Sequence, residues 1–91
     1  MSKKLKKSDI VLIEGRRWFD KINGNTYHSA TLYVNNEQID RVPFEYGYGD
    51  QYKQTGYALI EKNYGLKVNG WRDLEGYNVR TTVQDGLKRD L

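Results

Sequence analysis

Covalent chemistry needs a nucleophile, an acid–base group or a set of metal ligands, and this 91-residue chain is poor in all three. His28 is its one histidine and it has no cysteine, so a zinc site would draw every other ligand from carboxylates, unlike the Cys/His sets of closed zinc sites. His28 also falls in phase with Ala30, Leu32 and Val34, which reads as a hydrogen-bonded, partly buried strand residue. Its neighbour Ser29 would point to the opposite side of that strand, out of reach of the imidazole needed to activate it. The carboxylates mostly stand beside a basic residue, as in Asp20-Lys21, Asp40-Arg41 and Glu61-Lys62. That is the pattern of solvated faces, not of a paired acid and base. Gly47-Tyr48-Gly49 precedes a helix as phosphate-cradling loops do, but lacks the further glycine and the Lys-Ser/Thr ending. No catalytic residue, metal ligand or cofactor is expected, and a small hydrolase or nuclease built on His28 is the weakest of three functional classes.

Contact chemistry remains. In Arg16-Arg17-Trp18, strand alternation places Arg16 with Trp18 and Arg17 with Phe19. An arginine beside an exposed aromatic ring can stack on a base or anchor a protein partner. Phe19 reads as a core residue, while Trp18 is left open between core and surface. Eight tyrosines pose the same choice. Some pack under a helix, but Tyr27 and Tyr33 lie on the strand face away from Leu32 and Val34, and Tyr46 and Tyr48 crowd the corner over residues 43–52. Tyrosine joins a large apolar body to a polar tip, which suits interfaces. Trp18, Tyr27, Tyr33, Tyr46 and Tyr48 are therefore the candidate protein-binding residues. The alternative is a nucleic-acid surface in which Lys3, Lys4, Lys6, Lys7, Arg16, Arg17, Lys88 and Arg89 grip phosphates while aromatics stack on bases.

The net charge of +3 is weaker support for that alternative than it looks. Lys3, Lys4, Lys6 and Lys7 precede the first apolar run, and without them eleven cations face twelve acids. Phosphate binding needs cations clustered on a surface, not summed along a chain. The longest apolar run, Ile10 to Ile13, is far too short to span a bilayer, and no signal-peptide stretch follows the lysines. A soluble, cytoplasmic protein without membrane contact is expected.

The elements that must position these residues follow from period and turn chemistry. Residues 1–8 read as a disordered basic arm and 9–91 as one domain. Ile10–Ile13 and Arg16–Lys21 have strand patterns, with Gly15 suggesting a bulge or bend between them. Asn23-Gly24 predicts a hairpin with a tight type I′ turn. Asn25–Val34 alternates as a returning strand, Asn35-Asn36 reverses the chain, and Gln38–Phe44 forms a third strand with Pro43 at an edge or bulge. Asp50 predicts a helix cap, and Tyr52, Gly56, Leu59, Ile60 and Asn63 form its inward stripe before Gly65 ends it. Gly56 implies that the helix backbone lies close to the sheet. Trp71–Gly76 is a loop or one helical turn, and Tyr77–Gln84 a last strand. The fold class is α+β: a three-stranded antiparallel meander, one helix packed on the sheet, then a further strand, in the order β-β-β-α-β. An unpaired edge leaves a homodimer open.

Gly15-Arg16-Arg17-Trp18-Phe19, Gly24-Asn25-Thr26-Tyr27-His28-Ser29, residues 43–49 and the ending Asp85-Gly86-Leu87-Lys88-Arg89-Asp90-Leu91 together resemble short bacteriophage and mobile-element accessory proteins with no assigned activity. The resemblance implies a non-enzymatic protein that binds a host protein or nucleoprotein complex, including inhibitors of defence systems such as CRISPR. It carries over no site residue.

Overall fold

The computed structural model of the chain describes residues 4–47, 51–68 and 70–86. Four strands, β1 (Ile10–Asp20), β2 (Asn25–Val34), β3 (Glu37–Tyr46) and β4 (Asn78–Asp85), form one sheet in the order β3-β2-β1-β4. The first three make the antiparallel meander, and β4 lies parallel to β1. Between β3 and β4 the chain crosses one face of the sheet through α1 (Gln51–Tyr64) and a short 3-10 helix, η1 (Trp71–Leu74). The expected order and α+β class are those observed. The proposed cap Asp50 lies outside the described residues, as do Lys3, Tyr48, Lys88 and Arg89.

Alternation sorts the apolar residues as the sequence implies. Val11 and Ile13 of β1 and Leu32 and Val34 of β2 face Tyr52, Tyr57, Leu59, Ile60 and Tyr64 of α1, and Val68 and Leu74 close the cluster. Ile13, Leu32 and Ile60 are wholly buried, and each such side chain contributes about 1.5–3 kcal/mol on leaving water. Asn63 sits beside this stripe, half-buried, donating to Asp40 Oδ2 at 3.0 Å. Lys62 reaches the same carboxylate at 3.1 Å. The helix end is thereby tied to the outer strand β3.

Several local expectations are corrected. Strand β1 runs unbroken through Gly15; the glycine marks a contact, because a Cβ there would overlap the Tyr52 ring. The tight two-residue turn is at Asn35-Asn36, where φ is 53° and 69° and Val34 pairs with Glu37. Asn35 also pins the start of β1, accepting from the Ile10 N–H at 2.9 Å and donating to Asp9 at 3.0 Å. Asn23-Gly24 instead belongs to a four-residue loop organised by Asp20, whose carboxylate accepts the N–H groups of Ile22 and Asn23. Only Gly24 there has positive φ. Phe19 is not core but 55 % exposed, since its end of β1 projects beyond the helix. Residues 4–8 of the expected disordered arm lie against the body: Leu5 packs on the core, and Lys6 N–H donates to Asp9.

Gly56 behaves as its position implied. A Cβ on it would lie 2.5 Å from Ile13 Cγ2, and Ile13 is fully enclosed. Gly15→Ala and Gly56→Ala should therefore each destabilise the fold by about 1–3 kcal/mol, the latter despite alanine's better helix propensity. Urea denaturation reads this directly; an unchanged or raised midpoint for both would show that helix and sheet are not in this contact.

Candidate functional site

His28 illustrates how the fold uses its one histidine. It is 1 % exposed, at the end of the covered face where α1 begins. Nδ1 lies 3.3 Å from the Gly47 carbonyl and Nε2 2.7 Å from Thr55 Oγ1. A carbonyl can only accept, so Nδ1 carries the proton; the single Thr55 hydroxyl proton lies within reach of both Nε2 at 2.7 Å and the Gln51 carbonyl at 3.3 Å, and the neutral ring takes it over the shorter contact. The imidazole thus links β2, the first turns of α1 and the backbone after β3. Burial lowers its pKa below the ordinary 6.5, against the pull of the Gly47 carbonyl and of Glu45. Among the described residues no three His, Asp or Glu side chains cluster as metal ligands would.

Among the described residues the opposite face of the sheet has no helix over it, and there the half-buried Trp18 and Tyr27 meet the exposed Phe44 and Tyr46. Trp18 of β1 pairs across the strands with Tyr27 of β2, which pairs with Tyr46 of β3. The Trp18 and Tyr27 rings stack at 5.8 Å between centroids, and Tyr27 and Phe44 at 4.7 Å, with planes within 22° and 19° of parallel. Tyr46 meets Tyr27 edge-on at 5.7 Å. These spacings are close to the distance between neighbouring strands, about 4.8 Å. The rings therefore stand as a column across three strands, each offset by one strand from the last. Phe44 and Tyr46 are 44 % and 65 % exposed.

Phe44 reaches the column through a bulge. His28 faces Glu45 and Ala30 faces Val42, so Pro43 and Phe44 together oppose Ser29. The extra residue lets Val42 face the core while Phe44 and Tyr46 face outward. Proline is suited to this place, on an outer strand and in a bulge.

Of the residues singled out from the sequence, Trp18, Tyr27 and Tyr46 come together. Tyr33 shares the face but pairs with Leu12 and Gln38, six residues or about 20 Å along the strand from Tyr27. Phe44 was missed, although its spacing of two from Tyr46 was a signal for a shared side. Arg16 stands on the column's face beside Glu14, Nε to Oε1 3.3 Å, whereas Arg17 is on the other face, paired with Asp85 at 3.0 Å. Lys4, Lys6 and Lys7 lie before the opposite end of β1, and Lys7 Nζ sits 5.9 Å from the Tyr77 ring centre. Two shallow grooves flank α1, about 450 Å³ beside β3 and about 310 Å³ beside η1 and β4. The first is lined by both signs of charge, including Arg41, Glu45 and Lys62.

Compared with protein-family models, curated proteins and solved structures, the chain matches none. No helix among the described residues is long and apolar enough to cross a membrane.

The His28 geometry sets a pH dependence. The unfolded chain binds a proton near pH 6.5 and the folded one resists it, so this contribution to stability is complete above that value and is lost as pH falls through and below it. Asp9 and Asp40, held below their ordinary 3.8, each mainly by a hydrogen bond to the carboxylate, act only in the more acid range. Thermal melting should show a midpoint level above about pH 7.5 that falls towards pH 5. His28→Gln should be less stable at pH 7.5 and flatter across that range; an equally steep profile would remove His28 as the cause.

Proposed function

We propose that the protein is a non-enzymatic recognition protein that docks the uncovered face of its sheet on a host nucleoprotein complex. The observation that carries this reading is the column of Trp18, Tyr27 and Phe44 with Tyr46 against it, half-buried at Trp18 and Tyr27 and open to solvent at Phe44 and Tyr46. Aromatic rings are costly to leave in water and are the side chains on which binding energy concentrates. Here cross-strand neighbours fix them before any partner arrives, which lowers the ordering cost of association. His28 supports the non-enzymatic reading, because both ring nitrogens are engaged inside the fold. The resemblance to phage accessory proteins supplies the setting: action in the host cytoplasm, on a machine such as a defence complex.

Self-association through the same face is disfavoured by its charge, since Arg16, Arg41 and Arg80 would meet their own copies. The β3 edge is interrupted by two irregularities, between Ala30 and His28 and between Leu32 and Tyr33 on its partner strand. Such breaks discourage edge-to-edge pairing.

Phe44→Ser with Tyr46→Ser tests the proposal with little risk to folding, because both rings are substantially exposed. The intact chain, tagged and passed through host lysate, should retain a stoichiometric complex. The double variant, with unchanged circular dichroism, should lose about tenfold or more in affinity for it. Equal retention by both proteins, or no complex with either, would overturn the assignment.

A further inference from the structure

Charge on this molecule is sorted by face. Arg16, Arg41 and Arg80 stand at register positions of the side that carries the aromatic column, opposite Ser29, Thr31 and Leu12; Arg41, on the outer strand, also lines the groove beside α1, and Arg80 lies in the row of Tyr33, about 20 Å along the strands from the column. Two carboxylates stand at these face positions: Glu14, which pairs with Arg16, and Asp20, which is buried and accepts the N–H groups of its own loop. Glu37, Asp40, Glu45, Glu61, Asp73 and Glu75 belong to the other face, the helix or the connections. Arg41 and Arg80 are exposed and neither makes an ion pair among the described residues. A body close to neutral overall therefore presents a locally cationic sheet, which the sum along the chain conceals.

We infer, building on the recognition reading above, that this face binds single-stranded nucleic acid, with bases extending the Trp18–Tyr27–Phe44 column and phosphates on Arg16, Arg41 and Arg80. A column of near-parallel rings is lengthened by one more planar group at an end. The Phe44 end stands on the outer strand, with Tyr46 edge-on beside it and Arg41 three residues away on the same strand. Unpaired bases offer free π-faces, whereas a duplex has used its own in stacking. An acidic peptide would satisfy the arginines but bring no planar partner for the rings.

Fluorescence anisotropy of the full chain with labelled twelve-nucleotide oligo-dT and oligo-U, a duplex of the same length and a poly-glutamate peptide tests this. Both single strands should bind more tightly than the duplex and the peptide. With three phosphates neutralised, the logarithm of affinity should fall against that of salt with a slope of about −2. Phe44→Ser should weaken binding about tenfold or more. Arg41→Glu with Arg80→Glu should weaken it further, while Lys4→Gln, Lys6→Gln and Lys7→Gln together, which keep Leu5 in place, should retain most of it.

No binding at low salt, equal binding of poly-glutamate, or binding that survives the arginine reversals and disappears with the lysine replacements would overturn the inference. The recognition reading fails separately. A host complex that survives nuclease treatment, is lost on Phe44→Ser/Tyr46→Ser and is accompanied by no oligonucleotide binding leaves that reading standing and removes this one.

Discussion

The contact on which the rest depends is the close approach of α1 to the two central strands. Tyr52 lies over Gly15 and Ile13 lies against Gly56, each side chain taking the space that a Cβ opposite would fill. One element contributes a side chain and the other a missing one, twice and in opposite senses: the Tyr52 ring of the helix over Gly15, and Ile13 of the strand against Gly56. This brings a fourteen-residue helix down onto β1 and β2 so that Leu59 and Ile60 join Val11, Leu32 and Val34 in one cluster. Because the described residues form one long helix against a four-stranded sheet, that helix covers one face and leaves the other to solvent.

An uncovered face must be soluble and must not recruit further strands. Alternation gives it Arg16, Arg41 and Arg80 among hydroxyl and amide residues, and its small members Ser29 and Thr31 are buried. The exception is the aromatic column, which occupies the end of the sheet beyond the helix. The bulge at Pro43-Phe44 matters twice in this arrangement. It breaks the regular ladder on an outer strand, and it shifts the parity so that Val42 packs inward while Phe44 and Tyr46 point out. A strict two-residue period would have put all three on the same side.

Polar groups under the helix follow a different rule. His28 is enclosed, and so must have partners; it finds them in Thr55 and the Gly47 carbonyl. The same bonds that satisfy it fasten the start of α1 to β2, while Asp40, Asn63 and Lys62 fasten its end to β3. The helix is thus held at both ends by polar contacts and along its length by apolar ones.

Order and type of the elements were legible in the sequence because they rest on local physics: the period of two in Asn25–Val34, the helical stripe of Tyr52 through Ile60, the Gly65 stop at φ 70°. So was the split between Arg16 and Arg17, which alternation alone dictates. The choice of turn was not, since Asn23-Gly24 and Asn35-Asn36 both accept left-handed backbone and only the register of three strands decides which becomes the tight reversal. Nor could the chain say where Phe19 and Trp18 would lie, because exposure depends on how far the helix reaches over β1. Above all, the pairing of β1 with both β2 and β4 brings Trp18, Tyr27, Phe44 and three dispersed arginines onto one surface. Charge and rings that look scattered along a line become a patch only when non-neighbouring strands are laid side by side, and that juxtaposition belongs to the tertiary structure.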